Sequence, residues 1–203
     1  MKKTIFLAGA IIASSCAMWS NGTLSGKEKK FAIGYLNKTR TRLFEDVRGL
    51  STAQLNFKAD SSHWSVAQCV EHIALAENGI WQRIYNALKQ PVTVAKQKLT
   101  NTNEQVIAVT LDRSVKYKAP EQLEPTGYFS GTGCALQYFS HKRDSLIDYI
   151  RVTRDDLKDR YFVHSSMGTI NLYQAVLLIA SHSERHIMQI EEVKSNPGFP
   201  KNQ

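Results

Sequence analysis

The chain is 203 residues long, carries a formal charge of +8, and is 42% hydrophobic and 22% charged. With about 20 N-terminal residues set aside, the remainder suffices for one domain with a sizeable core. Lysines and arginines are interleaved with acids, as in Lys27-Glu28-Lys29-Lys30 and between Arg151 and Arg160. No basic stripe marks a nucleic-acid partner, and the charge is read as solvating helix faces, seating on an anionic membrane being the minor alternative.

The N-terminus has the parts of an export signal. Lys2 and Lys3 form a positive start, Ile5 to Ala13 a short apolar run, and Ser14-Ser15-Cys16-Ala17 a stretch of small residues. The run is too short for a membrane-spanning helix, which needs about 20 apolar residues. Two processing readings stand side by side: cleavage after Ala17, or lipidation of Cys16, because Ala13-Ser14-Ser15-Cys16 resembles a loose lipobox. An uncleaved apolar N-terminus in the cytosol is the third. The expectation is an exported protein, periplasmic or anchored in the outer membrane as a lipoprotein. Residues 1–20 are read as the signal, 27–196 as the folded domain and 197–203 as a C-terminal tail.

Four amphipathic helices follow in chain order. Leu36, Leu43, Phe44, Val47 and Leu50 share one face of a helix over roughly 27–49. Ser51 to Asp60 leads onward, with Ser51-x-x-Gln54 suggesting a helical turn. Ser65-Val66-Ala67-Gln68 is a capping box that starts the second helix, with Trp64 placed to staple onto Cys69. That helix runs to about Lys89, is stopped by Pro91, and turns Val66, Cys69, Ile73, Ala76, Ile80, Ile84 and Ala87 inward.

Residues 91–133 are punctuated by Pro91, Pro120, Pro125, Gly127, Gly131 and Gly133, with one short helix near 103–113. So long a connection suits a crossover that lets the second and third helices run parallel. The third helix covers about 133–157, with Leu136, Phe139, Leu146, Ile147 and Ile150 inward. His164 to Gly168 forms a turn, Asn171-x-x-Gln174 caps the fourth helix, and Asn196-Pro197-Gly198 ends it. No segment alternates as a strand does, so the fold class is all-α: a four-helix bundle. Besides Cys16 only Cys69 and Cys134 are present, and a bridge between them and two buried free thiols both stay open.

His182 and His186 stack on one face of the fourth helix, four residues apart. That face also carries Leu172, Ala175, Val176, Ile179, Ile187, Ile190 and Val193, so the pair interrupts a stripe meant for the core. Buried imidazoles cost free energy unless hydrogen-bonded or bound to metal. A tight metal site needs a third ligand, and His72 borders the inward stripe of the second helix, three residues after Cys69. Three imidazoles leave coordination positions open, as a catalytic ion requires. A pair of partly exposed surface histidines is the plainer reading of the same spacing.

Trp64-Ser65-Val66-Ala67-Gln68-Cys69-Val70-Glu71-His72, followed by His182-Ser183-Glu184-Arg185-His186-Ile187-Met188-Gln189-Ile190, resembles the DinB-like superfamily. The resemblance covers essentially the whole mature chain, including the Ala119-Pro120 loop and the third helix around Arg143. It implies a four-helix bundle in which one histidine of the second helix and two of the fourth bind a divalent metal, often nickel or zinc. Here those residues are His72, His182 and His186. The superfamily includes thiol-dependent transferases, such as bacillithiol transferases, and a mycothiol-dependent isomerase. These enzymes are cytosolic, and the export signal departs from that pattern.

Helical rotation turns Glu184 and Arg185 away from the metal face, toward expected salt bridges with Asp144 or Asp148 of the third helix. Gln189 shares the face of His182, where it either hydrogen-bonds near the ligands or packs between helices. Glu71 is read as a solvated residue, general base being the minor alternative. Cys69 is read as a small buried hydrophobe rather than a fourth ligand. His63, His141 and His164 are read as surface histidines, and the Gly127 to Gly133 run as bordering the mouth of the site. The functional expectation is an exported divalent-metal-dependent hydrolase or thiol transferase with a small-molecule substrate. The alternative is a non-catalytic envelope bundle that binds metal or ligand, or keeps a vestigial site, and that dimerises. Three imidazoles suit zinc, nickel, cobalt or iron alike.

Overall fold

Five of the six described α-helices begin where a side chain can accept from amides that have no intrahelical partner. The computed structural model describes residues 22–91 and 96–201, so the export signal and Cys16 lie outside the described residues. Within them run α1 (Gly26–Val47), α2 (Thr52–Asn56), α3 (Val66–Leu88), α4 (Asn103–Leu111), α5 (Thr132–Val152) and α6 (Leu172–Lys194). Capping boxes open five of these: Ser25 with Glu28, Ser51 with Gln54, Ser65 with Gln68, Thr102 with Gln105, and Asn171 with Gln174. None of the described helices is long and apolar enough to cross a membrane.

Side-chain pairs set the helix directions. Tyr173 of α6 reaches the Glu28 carbonyl, Glu184 meets Tyr35, Lys38 and Arg42, and Lys194 meets Asp46, so α1 and α6 run parallel. Arg143 binds Glu77 and Tyr149 packs edge-on to Trp81, so α3 and α5 also run parallel. Lys29 reaches the Thr153 carbonyl while Arg40 pairs with Asp144, which sets α1 against α5. The crossover over residues 89–131 is what allows the α3–α5 pair its common direction, as its length predicts. The outcome is an all-α four-helix bundle of α1, α3, α5 and α6.

The core is divided in two. Leu36, Ile84, Leu146, Ile150 and Ile179 belong to one apolar cluster; Leu43, Cys69, Ile73, Phe139 and Ile187 belong to the other. Between them lies a polar layer built on Arg143, whose side chain is fully buried. Its Nε and Nη2 donate to the two oxygens of Glu77 at 2.6 and 2.7 Å. Nη1 donates to the Leu36 carbonyl and Thr39 Oγ1, and Nη2 donates again to Ser183 Oγ. All five guanidinium N–H groups therefore have an acceptor.

Two expectations need correction. The third helix stops at Val152, not near 157, because Thr153 Oγ1 takes the Asp155 amide and Asp156 Oδ1 takes those of Lys158 and Asp159. Those side chains offer the backbone a turn in place of the helix. A small antiparallel hairpin does form, β1 (Tyr161–His164) with β2 (Gly168–Asn171), Phe162 opposite Ile170. Four residues per strand are too few for alternation to stand out. In the described part of the C-terminal segment, Phe199 packs edge-on against Phe57 at 5.5 Å, and Gln54 Nε2 donates to the Pro200 carbonyl. The cysteines are both free, Cys69 buried and Cys134 exposed, so no bridge joins them.

Removing the carboxylate of Glu77 leaves a guanidinium buried without its counter-charge. Glu77→Ala is expected to lower stability by about 3–5 kcal/mol, read from the urea midpoint. The pair Glu77→Leu with Arg143→Met is expected to lose less than Glu77→Ala alone.

Candidate metal centre

Two capped helices bring three imidazoles to one point. The Ser65 box fixes the start of α3 and so the azimuth of His72; the Asn171 box does the same for the α6 pair. One nitrogen from each of His72, His182 and His186 lies within 4.8 Å of the others. His72 Nε2 and His182 Nε2 are 3.3 Å apart. Two nitrogens at about 2.0–2.1 Å from a shared tetrahedral ion stand about 3.3 Å apart.

The opposite ring nitrogens are held. His72 Nδ1 donates to the Leu123 carbonyl at 2.7 Å, and His186 Nδ1 donates to Gln189 Oε1 at 2.9 Å. With the proton fixed on Nδ1, each Nε2 presents a lone pair inward. Burial lowers the pKa of His72 and pushes His182 and His186 well below the usual range, their mutual proximity adding to it. Neutral imidazole is the form that ligates. A proton can bridge two of these nitrogens but not three; a divalent cation satisfies all three, and so the donor set fits one. No other trio of His, Cys, Asp or Glu among the described residues forms such a group.

Trp64 covers one side. Its ring stacks on His186 at 5.9 Å and tilts against His72 at 4.8 Å, beyond packing on the cluster that contains Cys69. Glu71 is neither solvated nor free to act as a base. It is buried, and its Oε1 accepts from the amides of Thr126, Gly127 and Tyr128 at 2.9–3.0 Å. Gly127 has φ 85°, a conformation glycine adopts without a Cβ clash, and this turns three successive amides toward one oxygen. Adjacent residues Glu71 and His72 thus grip the same stretch of the crossover, which a 3-10 turn at Glu121–Leu123 delivers to the site.

Other residues fall as follows. Cys69 is buried in the core and its thiol is pushed up to about 12 by burial; it is no ligand. His63 and His141 are exposed, and His164 sits on the hairpin. Glu184 and Arg185 do not reach α5, whose Asp144 and Asp148 pair instead with Arg40 and Arg151. Glu184 turns to α1 and accepts from Tyr35, Lys38 and Arg42, which outweigh burial and hold its pKa down. Arg185 donates to the carbonyls of Thr110, Asp112 and Val115, closing the C-terminus of α4. The Leu123 carbonyl had no signal in sequence, since every residue carries that group. Trp64 did, as the residue just ahead of the cap.

Comparison with known proteins identifies the family and the fold. The family model of the DinB superfamily matches residues 35–190. YuaE of Bacillus subtilis is 26% identical over 162 residues, 80% of this chain and 96% of that protein. A protein of Oceanobacillus iheyensis carrying the name "Putative metal-dependent hydrolase" is 26% identical over 155 residues, 76% of this chain and 79% of its own length. The solved structure of YfiT from Bacillus subtilis, described as "a probable metal-dependent hydrolase with an unusual four-helix bundle topology", superposes with a TM-score of 0.60. It shares 20% identity, with 88% of this chain and 92% of that one covered.

Gln189 touches the centre only through His186 Nδ1. Gln189→Leu is expected to weaken divalent-metal affinity roughly 10–100-fold, measured by competition with a chelating dye, while the helical circular dichroism stays unchanged.

Proposed function

The chain belongs to the DinB superfamily, and on that footing we propose that it is a divalent-metal-dependent hydrolase of the cell envelope, using zinc or nickel. The observation that carries the reading is the convergence of one ring nitrogen from each of three histidines within 4.8 Å, two of the rings being held by bonds at Nδ1. The names given to the Oceanobacillus protein and to YfiT support hydrolysis as the reaction class. Lys2-Lys3 and the apolar run from Ile5 to Ala13 support export, with Cys16 as the lipidated residue. Export takes the chain away from the largely cytosolic small-thiol pool, which favours water over a thiol as nucleophile.

His72, His182 and His186 would hold the ion, which supplies Lewis acidity when bound. The rest follows from the chain's own side chains. Leu123 and Gln189 keep two of the ligands in one tautomer, so neither proton points at the reacting region. Trp64 screens one side of the imidazoles from water. Glu71 holds the 126–128 turn in place, and Tyr128, 72% exposed on that turn, is positioned to touch a substrate that enters there.

Protein purified without a metal-binding tag is expected to carry one divalent ion per chain, and His182→Ala to carry none. The loaded form is expected to turn over members of an ester and amide panel, and a chelator to lower its melting temperature. Metal-free protein that melts identically with and without chelator would end the proposal; a loaded but inert protein would leave a binding bundle. For export, mass spectrometry of membrane fractions is expected to show acylated Cys16, whereas Met18 as a soluble N-terminus would mean simple secretion.

A further inference from the structure

Away from the histidines, a trough of about 790 Å³ runs between α1 and α4, over the surface of α6. Its walls are apolar: Phe31 and Tyr35 from α1, Ile107 and Leu111 from α4. A smaller cavity floored by Tyr173 and Leu177 shares Lys27, Phe31 and Ile107 with it, so the two form one channel. Lys27 to Lys38 spans eleven residues of α1, about 17 Å of helix rise.

Two features indicate a ligand. The first is charge. Lys38 is engaged by Glu184, and Glu184 is further neutralised by Arg42, but Lys27 and Lys30 have no ion-pair partner among the described residues. Two carboxylates line the smaller cavity beside Lys27 but not the larger trough: Glu28, which is paired with Lys158, and Glu104, which is solvent-exposed. Within the larger trough, the charge of Lys27 and Lys30 is thus offset by no carboxylate that lines it, Glu184 being engaged by Lys38 and Arg42. The second is Gly34, in the interior of a 22-residue helix. Its φ is not positive, and a Cβ there would meet nothing within 4 Å. Neither backbone conformation nor close packing calls for glycine, which is a poor helix former. What its missing side chain does is leave the trough open midway along α1.

We propose that this trough binds an amphiphile of the fatty-acid class. Its acyl chain lies along Phe31, Gly34 and Tyr35, and its carboxylate sits between Lys27 and Lys30. A volume within the usual range for small-molecule sites and a mostly apolar lining with a few charges fit that chemistry. None of the three histidines lines the trough, so the site stands independently of the hydrolase reading.

The test is calorimetric titration of the mature chain with dodecanoate below its micellar concentration. Saturable one-to-one binding is expected, with dodecanol and butyrate each at least ten-fold weaker. Gly34→Leu should reduce affinity at least ten-fold without lowering the melting temperature, because the added side chain enters open space. The pair Lys27→Glu with Lys30→Glu should do the same through charge, and His182→Ala should leave dodecanoate binding intact. Undiminished binding in Gly34→Leu, or equal affinity for dodecanol, would overturn the proposal. So would a dimer that Gly34→Leu dissociates, since the trough is then an interface between copies. Attachment to anionic vesicles with no affinity for monomeric dodecanoate would also overturn it, assigning the lysines to a membrane surface.

Discussion

The guanidinium of Arg143 is where the four long helices meet. It sits on α5, takes Glu77 from α3, Leu36 and Thr39 from α1, and Ser183 from α6. A buried charge is costly unless its counter-charge and every donor are accommodated. Because all five donors are used, any axial slip of one helix would leave some of them unsatisfied. The geometry therefore sets register as well as contact. Two apolar clusters above and below supply the bulk of the burial, but apolar contact is non-directional and tolerates sliding.

The histidine cluster inherits its register from that layer. Ser183 directly follows His182, and Glu77 lies five residues beyond His72. Locking Glu77 to Ser183 through one guanidinium places His72 opposite the α6 pair. The crossover then completes the site: the Leu123 carbonyl orients His72 and the 126–128 turn hangs from Glu71. Neighbouring residues on α3 thus do different work, one facing the centre and the other holding its rim. On the far side of α6, Glu184 faces α1 and ends the apolar trough.

Much of this was legible in the residues. Capping boxes at Ser51, Ser65 and Asn171 located helix starts because the signal is local: an acceptor and a reciprocal partner three residues apart. The His182 and His186 spacing, read with His72, picked out the three histidines that converge, since helical periodicity puts side chains on faces without reference to the rest of the fold. What escaped depended on distant partners. Glu71 looks like a solvated acid until the crossover folds back on it. Arg185 looks like half of a salt bridge until the carbonyls of α4 arrive. The end of α5 failed because Thr153 and Asp156 bind nearby amides more favourably than the helix continues.

By itself, then, the sequence determined the all-α class, the four long amphipathic helices, the parallel pair demanded by the long crossover, and the three imidazoles. Each of these follows from periodicity, caps or loop length, which act over a few residues. Only the tertiary structure decided that Arg143 is the shared centre of the bundle, that Leu123 and Gln189 set the histidine tautomers, and that Gly34 opens a trough. Those facts rest on groups brought together from far apart in the chain, and a carbonyl or a missing side chain acquires its role only from what faces it.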